Sequence, residues 1–225
     1  MAGSDSECIM KILCIGQIEN EEFIHGEVAK QSIQPDDVAF YVDENPAVGI
    51  KARRERIARN HNILWDMVET YKPDLVWQIE GDSVLPRNAL ERLVGHYIAD
   101  PGKVYSGVQV GRHGLYCLGA WHLNDERTVL ASANYQDHGL KEVNAMGMYC
   151  FLTSADIWLS GKCEWIDEHW GPDVNYFLSI DAPKVADMDL HIGHRTKSGI
   201  IQVSDISTCN ATFFRELGKW RMIQE

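Results

Sequence analysis

The chain has 225 residues, 45% of them hydrophobic, with seven Trp and eight Tyr; this excludes a disordered chain and gives one domain, or one with a modest insertion, a full core. A formal net charge of −12 argues against a broad nucleic-acid-binding face, and no apolar run approaches the roughly 20 residues that span a bilayer. The polar, acidic start from Met1 to Glu7 is unlike a secretory leader, and Cys8, Cys14, Cys117, Cys150, Cys163 and Cys209 include no CxxC pair; reduced thiols in a cytoplasmic protein are expected rather than a disulfide frame or zinc site.

Residues 1–9 read as a flexible leader, and the apolar run 10–15 as the first strand. A polar loop leads to a short helix over 23–32. Pro35-Asp36-Asp37 is turn chemistry. Residues 38–42 form a second strand that ends at Asp43, with Asn45-Pro46 breaking it. The helix over 50–71 carries the clearest period: Ile57, Ala58, His61, Leu64, Trp65 and Val68 make an apolar stripe. Arg53, Arg56 and Asn60 lie on an adjoining face, with Arg59 near it. A third strand over 75–79, a helix over 87–100 closed by Pro101-Gly102, and a strand over 104–110 follow. Residues 111–143, rich in Gly, His, Asn and aromatics, suit an active-site flap with a hairpin near 121–130. Then come a strand over 148–153, short helices over 155–160 and 172–180, an alternating strand over 184–192, and a weakly amphipathic tail helix within 205–225.

Strands that alternate with helices imply an α/β fold with a mainly parallel central sheet flanked by helices. Ligands of such sheets bind beyond the carboxyl ends of the strands. The loops 17–20, 43–45 and 80–83 all follow strands, so Gln17, Asp43 and Glu80 to Ser83 are expected to meet at one crevice.

Glu80-Gly81-Asp82 is the chemically most informative segment. Two acids at i, i+2 on a strand end point the same way, and hard divalent cations take carboxylate oxygen while bridging to phosphates. Gly81 between them permits close backbone approach. Upstream, Lys51, Arg53, Arg54, Arg56 and Arg59 stand against Glu55 alone, a concentrated positive patch in an acidic chain. Arg56 and Asn60, i, i+4 neighbours, are placed to reach one base or phosphate. Later, Asp187, Asp189 and His191 share a strand face and offer a rival metal set. Asp173 sits in the first turn of its helix, where the dipole is expected to lower its pKa. Trp121 and Trp170 are candidates to stack on a ligand ring.

The run from Gly49 to Ala58-Arg59-Asn60, a helix, and then VWQIEGDSVLP resembles the nucleotide-sugar-dependent glycosyltransferases of GT-A fold, family 2-type enzymes above all. Glu80 stands where that family's Asp-x-Asp motif has its first Asp. The resemblance covers residues 10–95 well and the remainder thinly. It implies a single GT-A (Rossmann-like) domain: a nucleotide-sugar-binding half over 10–110, an acceptor-side and catalytic half with a smaller antiparallel region over 111–204, and the tail. It implies Asp82 as direct ligand of Mn²⁺ or Mg²⁺, with His194 completing the site and His191 as its rival, and Gln17, Asp43, Arg56, Arg59, Asn60, Glu80, Gly81 and Asp82 around a UDP- or GDP-sugar. Asn144 to Met148 resembles the segment lining the acceptor side. Trp170-Gly171-Pro172-Asp173 resembles the segment holding the catalytic base, with Pro172 where Glu is usual; Asp173 would then take the acceptor's proton, with inversion. The acceptor would be a glycan, a protein or a modified DNA base. Two other classes fit less well: a nucleotidyltransferase, for which the first loop lacks a Gly-rich phosphate turn, and a sugar-nucleotide or carbohydrate-binding protein of this fold without turnover.

Overall fold

The computed structural model describes residues 10–18, 20–42, 50–110, 118–125, 129–134, 136–161, 163, 171–205, 211–216 and 219–224. β1 (Ile12–Ile18) is buried except at Gln17, as a strand covered on both faces must be. It pairs in parallel with β2 (Asp37–Val42) on one side and β3 (Leu75–Ile79) on the other. Beyond β3, the short β10 (Cys150–Ser154) runs antiparallel between β3 and β5 (Val104–Gln109). The long β11 (Lys184–Thr196) then returns parallel to β5 and carries antiparallel β4 (Ser83–Val84), β8 (Leu140–Val143) and β12 (Gly199–Ile201). The order across this sheet is β12-β11-β5-β10-β3-β1-β2. A second, antiparallel sheet joins β6 (Ala120–Leu123), β7 (Val129–Ser132), β9 (Ala145–Met146), β13 (Ala211–Glu216) and β14 (Lys219–Gln224).

Alternate residues of the central strands feed two cores. On one face Leu13, Ile15 and Val76 belong to a core with Leu64 and Val68 of α2 (Ile50–Tyr71), Trp158 of α4 (Ala155–Ser160), and Tyr176 and Phe177 of α5 (Pro172–Ser179). On the other, Cys14, Trp77 and Ile79 join Ile24 and Val28 of α1 (Glu21–Ala29) and Leu90 and Leu93 of α3 (Ala89–Ala99). Cys14, Cys150 and Cys163 are free, buried thiols. β11 is irregular in its middle. From Ala186 to His191 it advances five residues while β5 advances two, Ser106 to Val108. Ala186 and Met188 therefore face the α2 core, whereas Leu190 and Ile192 face the α1–α3 core.

Helix 50–71 and strand 75–79 fall where their patterns place them. The tail does not: in place of a helix it forms β13 and β14, and β13 pairs with β7. Thr212, Phe213 and Phe214, like Trp220 and Ile223, are strand-formers, and a partner strand far back in the chain outweighs a weak helical period. The hairpin expected near 121–130 exists as β6 and β7, but as part of this sheet. Among the described residues no helix is long and apolar enough to cross a membrane.

Candidate functional site at the ends of the parallel strands

The acid loop after β3 is held from three sides. Glu80 N–H donates to the Tyr149 carbonyl at 3.1 Å, and Ser83 Oγ donates to the same carbonyl at 2.8 Å. Gly81 N–H donates to the Gln17 carbonyl at 3.2 Å, and Arg195 N–H to the Asp82 carbonyl at 2.8 Å. Gln109 Nε2 reaches both Ser83 Oγ, at 3.3 Å, and the Gly193 carbonyl, at 3.2 Å. A Cβ on Gly81 would lie 2.8 Å from Ile18 Cα, so this position must be glycine for the loop to close on β1. The close approach expected of Gly81 is thus made to a neighbouring strand.

The β4–β11 pairing sets His194 opposite Ser83, next to Asp82. His194 is only 3% exposed. Its Nδ1 lies 2.9 Å from the Val110 carbonyl, which can only accept, so Nδ1 carries a proton and Nε2 is the nitrogen turned toward Asp82. That Nε2 lies 3.5 Å from Asp82 Oδ2. Two electron-rich atoms face one another at this distance comfortably when a positive charge, a proton or a metal ion, lies between them. Ligands at about 2.1 Å from an octahedral Mg²⁺-sized ion sit about 3 Å from a cis neighbour, so the pair fits such a cation, and carboxylate with imidazole suits Mn²⁺ as well. Among the described residues no three His, Cys, Asp or Glu side chains converge as a full cage. Two protein ligands leave the remaining positions for water and phosphate oxygens, the usual division for these ions.

The rival set does not assemble. Asp187, 1% exposed, is saturated by Arg92, whose Nε and Nη2 donate at 3.0 and 2.8 Å, and by His96 Nε2 at 2.8 Å. Asp189 takes His138 Nδ1 at 2.8 Å and Gly139 N–H at 2.9 Å, and His191 Nε2 lies against the Met188 carbonyl at 2.9 Å.

Asp82 opens onto a cavity of about 890 Å³, lined by Gln17 near the end of β1 and Asn20 beyond it, Arg56, Ile57, His61 and Leu64 of α2, Gln78 to Asp82, Met148, and Arg195 to Ser198 with Ile201. It lies beyond the carboxyl ends of β1, β3 and β11, where a crevice was expected. Gln17, Arg56, Glu80, Gly81 and Asp82 meet there. Asn60 and Arg59 do not line it: Asn60 is fully buried and Arg59 faces solvent. The cavity meets α2 along the edge of its apolar stripe, at Arg56, Ile57, His61 and Leu64, and not along the polar face that Asn60 was expected to share. Asp43 and Trp170 lie outside the described residues. Trp121 packs half-buried against the core, away from this lining. Sequence reasoning missed Arg195 and Lys197, although two cations just after His194 are a legible signal, and it placed His61 in the apolar stripe of its helix and left Gln78 within the third strand.

His61 is 3% exposed, and burial pulls its imidazole down to a pKa of about 3, so it is neutral. It stacks on Trp158 at 4.7 Å and 13° and meets Tyr176 at 4.7 Å and 55°. Its Nε2 is buried without a hydrogen bond among the described residues, a deficit of about 1–3 kcal/mol.

Asp173, in the first turn of α5, is absent from the cavity lining. Its pKa is raised, against expectation. Burial pushes the carboxyl up by more than the Val174 and Asp173 amides and the Arg54 guanidinium pull it down.

The strand order, the antiparallel β10 between parallel β3 and β5 in a mainly parallel sheet, and the small second sheet form a GT-A-like fold. Solved structures bear this out. The crystal structure of A197 from STIV superposes with a TM-score of 0.59 at 16% identity, covering 84% of this chain and 87% of that one. GalNAc-T7, solved with UDP, GalNAc and Mn²⁺, superposes at 0.51 and 10% identity over 84% of this chain; the match spans 44% of its own. No protein-family model matches the sequence, and no curated protein matches it at a significant level.

Proposed function

We propose that the protein is a metal-dependent glycosyltransferase that moves a sugar from a nucleoside diphosphate sugar, UDP- or GDP-linked, to an acceptor hydroxyl with inversion. The observation that carries this reading is the Asp82–His194 pair, 3.5 Å apart at the edge of a cavity that also presents Arg56, Arg195 and Lys197. Asp82 and His194 would hold Mn²⁺ or Mg²⁺. A bound cation of this kind supplies Lewis-acid neutralisation of the charge that develops on a departing diphosphate. Arg56, Arg195 and Lys197 add positive charge for the same phosphates, and Glu80 and Gln17 stand beside the ribose or its waters. Asp173 is the general base of this proposal; a carboxylate of raised pKa takes a proton more readily. GalNAc-T7, bound to UDP and Mn²⁺ on a similar fold, supports the donor and metal class.

The test is titration of UDP and GDP with and without Mn²⁺, followed by release of nucleotide from a panel of their sugars. Mn²⁺-linked nucleotide affinity should disappear in Asp82→Asn, by more than the roughly 100-fold that loss of a supporting residue produces; unchanged metal linkage refutes the assignment. Asp173→Asn should keep donor binding and stop transfer. Asp173 does not line the cavity, and this favours a second reading, a sugar-nucleotide-binding protein without turnover. Tight nucleotide binding with no transfer in any acceptor mixture would select it.

A further inference from the structure

The deep part of the cavity differs from its mouth. The lining residues most withdrawn from solvent are His61, Gln78, Leu64, Ile79 and Met148, none of them charged, whereas Arg195 and Lys197 are exposed. Trp158 Nε1 donates to Gln78 Oε1 at 2.9 Å. An indole N–H can only donate, so this bond fixes the orientation of the amide and leaves its nitrogen, a donor, for another partner. The same Trp158 stacks on His61, whose Nε2 is buried without a hydrogen bond among the described residues. Tyr176 closes on the other ring contact, and its hydroxyl is itself tied to the Trp158 carbonyl at 2.9 Å. Two neutral hydrogen-bonding groups are thus locked in place by packing, the arrangement of a pre-organised subsite.

We propose that His61 and Gln78 hold the nucleobase of the donor, taking the hydrogen bonds of its polar edge; this rests on the nucleoside-diphosphate-sugar reading above. Phosphates are poorly matched to an uncharged floor and well matched to the cationic mouth. A hexose carries hydroxyls around its whole ring and would leave most of them unpaired among Ile57 and Leu64. A base has two apolar faces and one polar edge, which suits apolar walls with a few placed polar groups. Gln78 donates, and His61 Nε2 accepts or donates according to its tautomer, so an edge with one acceptor beside one donor is satisfied.

Calorimetric titration of the full chain with Mn²⁺ tests this, using UDP, GDP, inorganic pyrophosphate and glucose 1-phosphate as ligands. His61→Phe, which keeps the stacked ring and removes Nε2, should weaken the preferred nucleotide about tenfold or more and leave pyrophosphate within about twofold. His61→Gln, whose amide nitrogen can stand in for Nε2, should recover most of the loss. In the wild type the His61 ring signals should shift on adding nucleotide and stay in place on adding pyrophosphate, a readout that does not depend on any variant folding. Unchanged nucleotide affinity in His61→Phe, an equal loss for pyrophosphate, or a loss confined to glucose 1-phosphate overturns the proposal and leaves the donor reading standing. A wild-type chain that binds pyrophosphate as tightly as either nucleotide does the same. A wild-type chain that binds neither nucleotide nor pyrophosphate overturns both.

Discussion

β11 carries two acid–histidine groupings, one near each end, and they are built to opposite specifications. Near its start, Asp187 is sealed at 1% exposure and accepts from Arg92, His96 and the Asp189 amide, so every part of the carboxylate is occupied. Near its finish, His194 meets Asp82 at 3.5 Å, longer than a hydrogen bond, beside a large cavity. The same residue types therefore serve two purposes. A carboxylate met by donors on all sides is a fastening, whereas the Asp82 carboxylate, beside a cavity, is the one the proposed cation site draws on. Composition cannot tell them apart, and spacing offered the Asp187, Asp189 and His191 set as a rival to the acid pair at Glu80 and Asp82.

Mutation can separate the two. Asp187→Ala should lower unfolding stability by about 3 kcal/mol in urea titration, because Arg92 and His96 lose a buried partner, while Mn²⁺-linked nucleotide binding persists. A stable Asp187→Ala protein with lost binding would reverse the comparison. Gly81→Ala sits closer to the open pair; its Cβ meets the Ile18 backbone at 2.8 Å, so about 1–3 kcal/mol of stability and some nucleotide affinity should go together. A third histidine sharpens the contrast by pH. The folded-state pKa of His61, about 3, lies below the ordinary 6.5, so as pH falls from 6.5 to about 3 the unfolded chain takes up a proton that the folded chain refuses. This group alone should remove up to about 1.4 kcal/mol of stability per pH unit across that window. His61→Phe abolishes that component, so the difference between the two pH–stability profiles should slope there and be flat above it. The smallest effect belongs to the exposed His138–Asp189 pair: His138→Ala should change stability by less than about 1 kcal/mol, measurable in the same urea series.

The central architecture was readable because periodicity and burial coincide in it. The stripe from Ile57 to Val68 and the run from Leu75 to Ile79 report α2 and β3 directly. The pairing of Asp82 with His194 was accessible only through resemblance, since it depends on β4 meeting β11 across distant sequence. Asn60 was misplaced because an i, i+4 relation fixes which residues share a face but not which face meets the cavity. His61 was hidden for a related reason: a histidine in an apolar stripe has the pattern of a core residue, and only the unmet Nε2 marks it as different. The tail was misread because β13 is a strand by virtue of β7, and a tertiary partner leaves no trace in a local window.

The five-against-two slippage between Ala186 and His191 on one strand and Ser106 and Val108 on the other also decides what Asp82 meets. An odd surplus of residues inverts the alternation of a strand from that point on. Excising a single residue there would restore the original phase and turn Gly193 or Arg195 toward the aspartate in place of His194. One amino acid in the middle of a thirteen-residue strand thus acts as a parity bit for the chemistry at its far end.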